Sequence, residues 1–328
     1  MAATIRDVAQ VTGVHISTVS RSFSAPHLVN EATRGRVLAA AARLGYRPNR
    51  AARALTTGRT YNIGLIVANI ANPYFPPLIK AAQAHARERD YHVFVADTDE
   101  DPAVEEELVH ALAKQVDGVV LASPRVGNRL IEQLARSVTL VLVNRRVEGL
   151  PAVLMDMRGG TRQVIEHLAR LGHTRLAFAG GPPGAWTNRE MRRAAAASAR
   201  AMGLTLEVLG PHHPTENGGA AAAEEVVRTG ATGVTCYNDL MALGLAERLG
   251  ELGVRVPEDV SVVGVDDISP SRHTRPKLTT LAMPTAAAGR LAVDMLLQLA
   301  GDPDASNATA TLDVALVVRD STGPARRS

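Results

Sequence analysis

The chain has 328 residues, 46% apolar and 3% aromatic, enough for two or three domains with cores of Ala, Val and Leu, and too apolar for a disordered polymer. The single cysteine, Cys236, excludes a disulfide framework or a four-thiolate metal site and fits a reducing compartment. The net charge of +3 is uneven: residues 1–60 carry nine Arg and two acids, while the rest carries 27 basic and 31 acidic residues. That pattern suggests a polyanion partner for the head alone, against the alternative of a solvated basic arm.

The head reads as helices over 4–11, 17–24 and 31–45. Thr4 can cap the first, with Asp7 completing a capping box. Ala9 is small enough for a second helix to cross closely, Gly13 allows the positive φ of a tight turn, and Val14 and Val19 fill the angle between the helices. Small-x3-Gly-x5-apolar is helix-turn-helix spacing. The second helix would enter the major groove, with Ile16, Ser17 and Arg21 at base edges and Thr4, Thr18 and Ser20 on phosphates. For Arg21 the alternative is a surface salt bridge. Asn30 caps the third helix, whose Val37, Leu38, Ala41 and Leu44 support the other two. A Pro48–Asn49 break precedes a short run, Arg50 to Thr57, and a linker around Gly58.

From Tyr61 apolar runs alternate with amphipathic stretches. Strands are expected at 63–68, 92–96, 118–122, 139–143, 152–155, 175–179, 233–237 and 260–265. Helices are expected at 77–89, 103–114, 161–171, 190–202, 219–229 and 240–252. Strands apolar throughout, separated by helices, indicate parallel sheets covered on both faces, and their number suits two doubly wound Rossmann-like subdomains. The fold class is therefore α/β behind an all-α head.

In such sheets ligands bind beyond the carboxyl ends of strands. Those positions hold Asn69, Asn72, Tyr74, Phe75, Asp97, Thr98, Ser123, Asn144, Arg145, Tyr237, Asn238, Asp239 and Asp266. A Gly/Pro loop, Gly180 to Gly184, leads to Trp186, Asn188 and Arg189. Amides, carboxylates, guanidinium groups and aromatic faces suit a polyhydroxylated ligand. Several, Asp97 and Asn238-Asp239 among them, could equally be helix caps. No nucleophile elbow, P-loop, zinc-protease motif or complete dinucleotide fingerprint is present, so no catalytic residue, cofactor or metal is expected. The His212-His213 pair and Cys236 read as inert.

The chain resembles the lac repressor / galactose repressor family. The carrying motifs are Thr4-Ile-Arg-Asp-Val-Ala9, Val19-Ser-Arg21, Leu44-Gly-Tyr-Arg-Pro-Asn49, Ile63-Gly-Leu-Ile-Val67, Asn72-Pro-Tyr-Phe75, Val256-Pro-Glu-Asp-Val-Ser-Val-Val-Gly264, Asp266-Asp267 and Leu278-Thr-Thr280. The resemblance implies a helix-turn-helix domain over 1–46 and a hinge helix and linker over 47–60. It implies an effector-binding and dimerisation core over 61–328, with one subdomain at about 61–158 plus 282–320 and the other at about 159–281. It adds Tyr46, Asn49, Ala52, Arg53 and Leu55 to the DNA-binding set, Leu55 as a minor-groove wedge. Read by itself, Leu55 would be a core residue.

The effector set is Asn72, Tyr74, Phe75, Ser123, Asn144, Trp186, Arg189, Tyr237, Asn238 and Asp266. The expected function is a cytoplasmic, homodimeric regulator, usually a repressor, on a palindromic operator. A sugar or nucleoside-type metabolite between the subdomains would control it, with no membrane association. Three departures stand out: His15 where the family usually has Ser, Met191 where many members have an effector-contacting Arg, and Met157 for a frequent Asn. Arg189 or Arg192 is the candidate substitute. The rivals are a periplasmic-type sugar-binding protein, which would need an export signal absent from residues 1–12, and an α/β enzyme using Asp97 and Asp266.

Overall fold

The local chemistry of the head determines where its helices begin and end. Thr4 opens α1 (Ile5–Thr12): its hydroxyl accepts from the Asp7 amide while the Asp7 carboxylate takes the Thr4 amide at 2.7 Å. Gly13 ends the helix at φ 66°, where a side chain would be strained. The turn leads into α2 (Ile16–Ser24) and then α3 (Glu31–Leu44), which Asn30 caps through the Ala32 amide at 3.0 Å. Val8, Ala9, Val19, Val37, Ala40 and Ala41 form the buried core, with Phe23, Leu44 and Tyr46 packed around it. Ala9 and Val19 meet there as the spacing predicts.

The computed structural model describes residues 3–47, 58–302 and 308–326. The chain divides into two units, Met1–Thr60 and Tyr61–Ser328.

The second unit carries two six-stranded sheets. The first comprises β1 (Asn62–Val67), β2 (His92–Asp97), β3 (Gly118–Ala122), β4 (Leu140–Val143), β5 (Ala152–Met155) and β11 (Thr309–Leu312), in the order β11-β5-β4-β3-β1-β2, parallel throughout. The second comprises β6 (Arg175–Ala179), β7 (Thr205–Leu209), β8 (Gly233–Cys236), β9 (Ser261–Asp266), β10 (Thr279–Ala282) and β12 (Ala315–Val317), in the order β12-β10-β9-β8-β6-β7; only β12 runs antiparallel. Helices α4 (Phe75–Arg87), α5 (Pro102–Leu112) and α6 (Asn128–Leu134) belong to the first lobe. Helices α7 (Met157–Arg170), α8 (Trp186–Ala201), α9 (Glu216–Thr229) and α10 (Asp239–Glu251) belong to the second, and α11 (Thr285–Gly301) packs on α4. β1, β3, β4, β5 and β8 are buried along nearly their whole length, as parallel strands covered on both faces must be.

The chain differs from expectation at its end. The return over 282–320 does complete the first lobe through α11 and β11, but from Ala315 the backbone is back in the second sheet, pairing Thr280 with Val317. Without β12 the edge of β10 would be left open. The tail beyond it is tied down by Ser321 Oγ, which accepts from the Thr279 amide at 2.8 Å and donates to the Val262 carbonyl at 2.6 Å. The edge strand β7, with its largely exposed residues, and the short helix α6 also lie outside the predicted elements.

Candidate functional site

On the head, α2 presents Ile16, Ser20 and Arg21 to solvent, with Ser17 and Thr18 half-buried beside them and Val19 and Ser22 buried on the opposite face. Arg21 forms no ion pair with any described residue, so its donors are available to a guanine edge. His15 itself caps α2: its Nδ1 accepts from the Ser17 amide at 3.2 Å and lies 2.8 Å from the Ser17 hydroxyl. The Thr4 hydroxyl donates to Asp7 at 2.8 Å and the Asn30 side chain caps α3, so both of these predicted DNA contacts also hold the fold. The Tyr46 ring packs edge-on against Phe23, centroids 5.9 Å apart. Asn49, Ala52, Arg53 and Leu55 lie outside the described residues.

In the second unit the strand ends of both sheets converge on one cavity. From the first lobe come Asn72, Tyr74 and Phe75 after β1, Ser123 after β3 and Asn144 after β4. From the second come Tyr237 and Asn238 after β8 and Asp266 at the end of β9. Eight of the ten predicted effector residues therefore line one space.

Their backbones are unusual. Ser123 (φ 57°), Asn144 (φ 55°) and Asp266 (φ 122°) are all non-glycine residues in positive-φ conformations. Strain of this kind persists where surroundings hold it, and it clusters at binding sites. Asn144 is held by its neighbours: its Nδ2 donates to the Tyr74 hydroxyl at 2.7 Å and its Oδ1 accepts from the Met155 amide at 3.3 Å. Asn72 Oδ1 accepts from the Tyr74 amide at 3.0 Å, and the Tyr74 and Phe75 rings meet edge to face at 5.0 Å. Asn238 bridges the Pro214 carbonyl (3.0 Å) and the Met241 amide (2.9 Å), so it caps α10 and faces the cavity at once.

Behind Asp266, buried Asp239 accepts from the Ile268 amide (2.9 Å), Ser271 Oγ (2.6 Å) and Thr280 Oγ1 (2.6 Å). Asp267 pairs with Arg272 at 2.6 Å and with Arg319. The chain is thus pinned immediately after Asp266. Burial, then Asp239, pushes the Asp266 carboxyl well above the usual carboxylate range. Burial, then Asp266, raises the Tyr74 phenol.

Two predicted effector residues do not line the cavity. Trp186 packs against the apolar cluster of the first lobe that contains Ile66, Val126 and Leu142. Arg189 donates to the Pro183 and Gly184 carbonyls at 3.3 Å each. Thr187 and Met191 of the same helix do line the cavity, so Trp186 and Arg189 lie on its other faces, where the ring finds apolar surface across the lobe boundary. Asp97 accepts from the Ile70 and Asp99 amides, a loop-capping role, and does not join Asp266 in the cavity.

Several lining residues escaped sequence reasoning. Glu100 and Arg125 face the cavity as a fork-to-fork pair, Arg125 Nη2 to Glu100 Oε1 at 2.9 Å and Nε to the other oxygen. Val265 and Met283 supply apolar wall beside Met157 and Met191, the two positions already noted as departures from the family, and Thr187 and Pro214 the remainder. Gly181 was legible only as part of a Gly-rich loop; a Cβ there would meet the Tyr237 ring at 2.4 Å, so glycine lets that ring form the cavity wall. Cys236 is buried and burial pushes its thiol up, away from nucleophilic chemistry. Among the described residues no group of His, Cys, Asp and Glu is arranged to hold a metal, and no helix is long and apolar enough to cross a membrane.

A helix-turn-helix unit and a two-lobed α/β unit with a cavity between its lobes together define a DNA-binding regulator with a binding-protein-like core. The profile described as bacterial regulatory proteins, lacI family, matches residues 4–49, and that of a periplasmic binding protein-like domain matches 165–322. The HTH-type transcriptional regulator RegA of Clostridium saccharobutylicum is 32% identical, the alignment covering 98% of this chain and 100% of that protein. Among solved structures, the lac repressor dimer bound to operator and the anti-inducer ONPF matches with TM-score 0.87 at 27% identity, covering 98% and 100%. The transcriptional regulator CelR–cellobiose complex matches with TM-score 0.73 at 29% identity, covering 97% and 99%. The chain belongs to the lacI family of bacterial regulatory proteins and is a DNA-binding transcription regulator.

Proposed function

We propose that this regulator is a cytoplasmic, homodimeric repressor whose grip on a palindromic operator is set by a small polyhydroxylated metabolite in the cavity between the two lobes. Residues 1–46 form the reading head, 47–60 the hinge and 61–328 the effector core. Ile16, Ser17 and Arg21 read bases; Thr18 and Ser20 contact phosphates, assisted by the capped helix ends at Thr4 and Asn30 and by Tyr46. Asn49, Ala52, Arg53 and Leu55 act in the hinge. Asn72, Tyr74, Phe75, Ser123, Asn144, Tyr237, Asn238 and Asp266 hold the effector. The protein performs no catalysis in this reading.

The observation that carries it is the convergence of amides, hydroxyls, a carboxyl and aromatic rings from both lobes on one space. Hydroxyls are recognised by planar amide and carboxyl groups, and apolar ring faces by aromatic walls. A ligand that touches both lobes biases their relative orientation, and a dimer transmits that bias to the spacing of its two hinges. The CelR complex with cellobiose supports a sugar as the ligand class. The experiment is selection of a duplex from random DNA by the purified full chain, followed by titration of sugars, polyols and nucleosides against the complex. A preferred palindromic site and a metabolite that shifts its affinity are expected; binding with no sequence preference would refute the reading.

A further inference from the structure

Three charged groups line the cavity, and two of them neutralise each other. Arg125, whose side chain is 6% exposed, engages Glu100 through Nε and Nη2 and donates Nη1 to the Ser123 carbonyl at 2.7 Å. The nearby guanidinium groups of Arg145 and Arg189 donate to carbonyls at the rim and lie outside the cavity wall. The third group, Asp266, accepts no hydrogen bond from any described residue. The titratable groups around it are the Tyr74 hydroxyl after β1, the Tyr237 hydroxyl after β8 and the Asp239 carboxyl on α10. No cation is among them. Met157 on α7, Met191 on α8, Val265 on β9 and Met283 after β10 complete the wall with apolar surface.

We propose that the cavity takes an uncharged or amine-bearing polyhydroxylated ligand and rejects its phosphorylated or carboxylated counterpart, with Asp266 as the residue that discriminates. This rests on the reading of the cavity as the effector site. An anionic group entering here would lose its hydration beside a carboxyl group, with the one lining guanidinium already held by Glu100. A hydroxyl pair or an ammonium meets the opposite situation: a half-buried acceptor on the cavity wall with no donor among the described residues, which supplies a partner for the ligand's donors. Ionised, Asp266 repels an anion; protonated, it both accepts from and donates to a ligand hydroxyl, and in either form it adds no positive charge to the cavity. Thr187, whose hydroxyl lies 3.1 Å from Tyr237 Oη, and Ser123 offer dipoles and no net charge.

The test uses the full-length protein and a library of sugars, polyols and nucleosides in which each neutral member is paired with its phosphate ester or uronate, amino sugars included. Thermal-shift hits are followed by calorimetry on each pair. Neutral or amino compounds are expected to bind, with the anionic partner roughly 100-fold weaker, the scale set by a charge that is partly desolvated with no free cation beside it. Asp266→Asn should narrow that gap by at least about 10-fold while leaving the unliganded melting temperature unchanged or raised, because a half-buried carboxyl with no donor among the described residues has been removed. An anionic compound that binds as tightly as its neutral partner would overturn the proposal and leave the effector cavity standing. An unchanged gap in Asp266→Asn would remove the role assigned to that residue. A library without a single hit of either kind would overturn the cavity reading itself, and this proposal with it.

Discussion

The guanidinium of Arg145, in the first lobe, donates to the carbonyl of Gly184, in the second, at 3.0 Å. The same group holds the Val126 carbonyl at 3.0 Å and Asn128 Oδ1 at 2.8 Å, so one buried side chain ties the segment after β3 to the Gly/Pro loop across the cavity rim. Gly184 approaches so closely that a Cβ there would sit 3.1 Å from the Arg125 carbonyl. Burial, then Arg189, pulls the Arg145 guanidinium down to about 10, which leaves it charged at neutral pH. Arg145 was expected as a strand-end residue; its position makes it a latch between lobes.

Replacing Arg145 with Ala removes the donors for three acceptors at once. Leaving these acceptors without their donor is expected to lower stability by about 2–4 kcal/mol and to weaken effector binding by roughly 10-fold, since the tie holds the lobes in the arrangement that forms the cavity. Urea denaturation and calorimetry measure the two effects. Arg145→Lys, which cannot reproduce the planar fork, should recover less than half of either. Unchanged unfolding midpoints in the Ala variant would show that the latch carries no load.

Trp186 offers a second measurement, because it is the one tryptophan in the chain. Its ring packs on the first-lobe cluster while its backbone starts α8 of the second lobe. Intrinsic fluorescence should therefore shift when an effector moves the lobes, although the ring does not line the cavity. Trp186→Ala should weaken every ligand by a similar factor, and Trp186→Phe should largely restore binding, as expected for a contact between lobes. Losses that depended on ligand ring structure would point instead to direct stacking.

Acidification acts through His173. Its Nδ1 lies 2.9 Å from Thr232 Oγ1, and its Nε2 lies 3.1 Å from both Ser261 Oγ and the Gly323 carbonyl. Burial pulls its pKa below the ordinary histidine value, as burial and Arg170 do for His167, which bonds Thr322 at 3.0 Å. A depressed histidine pKa means the unfolded chain binds protons first as pH falls. The stability contributed by these histidines is therefore complete above about pH 6.5 and is lost between about pH 6.5 and the depressed folded values. On acidification through this window the urea midpoint of wild type should fall relative to that of His173→Gln. A slope in the variant equal to that of wild type would assign the effect to other groups.

Arg21→Ala should reduce discrimination between the selected duplex and single-base variants of it at one position of each half-site, by about 1–3 kcal/mol for a lost bidentate guanine contact. Competition binding across the variants reads this out. A loss spread uniformly over all sequences would make Arg21 a phosphate contact.

Much of this molecule was legible because its information is local. Ala9, Gly13 and Val19 act through spacing within one motif, and strands such as Val119-Val-Leu-Ala122 declare burial on both faces by being apolar throughout. Cavity residues at strand ends follow from sheet chirality and needed only the strands to be found. What stayed hidden depends on contacts distant in sequence. Glu100 and Arg125 are separated by 25 positions and reveal themselves only when β2 and β3 flank β1. Trp186 looked like a ligand platform because it follows the Gly/Pro loop beside Asn188 and Arg189, and only the opposing lobe explains its place. β12 escaped because three residues at a sheet edge carry too little pattern, and α11 because its largely apolar sequence does not display two distinct faces.

The most direct test joins the head to the cavity in one titration. A duplex recovered by selection is labelled, bound by the full chain at fixed ionic strength, and titrated with a neutral metabolite that raises the melting temperature. Wild type should show an operator affinity that changes with metabolite, while Asp266→Ala should bind the same duplex as tightly and show no change. A metabolite response that survives intact in Asp266→Ala, or an operator affinity indifferent to every ligand that binds the cavity, would contradict this account.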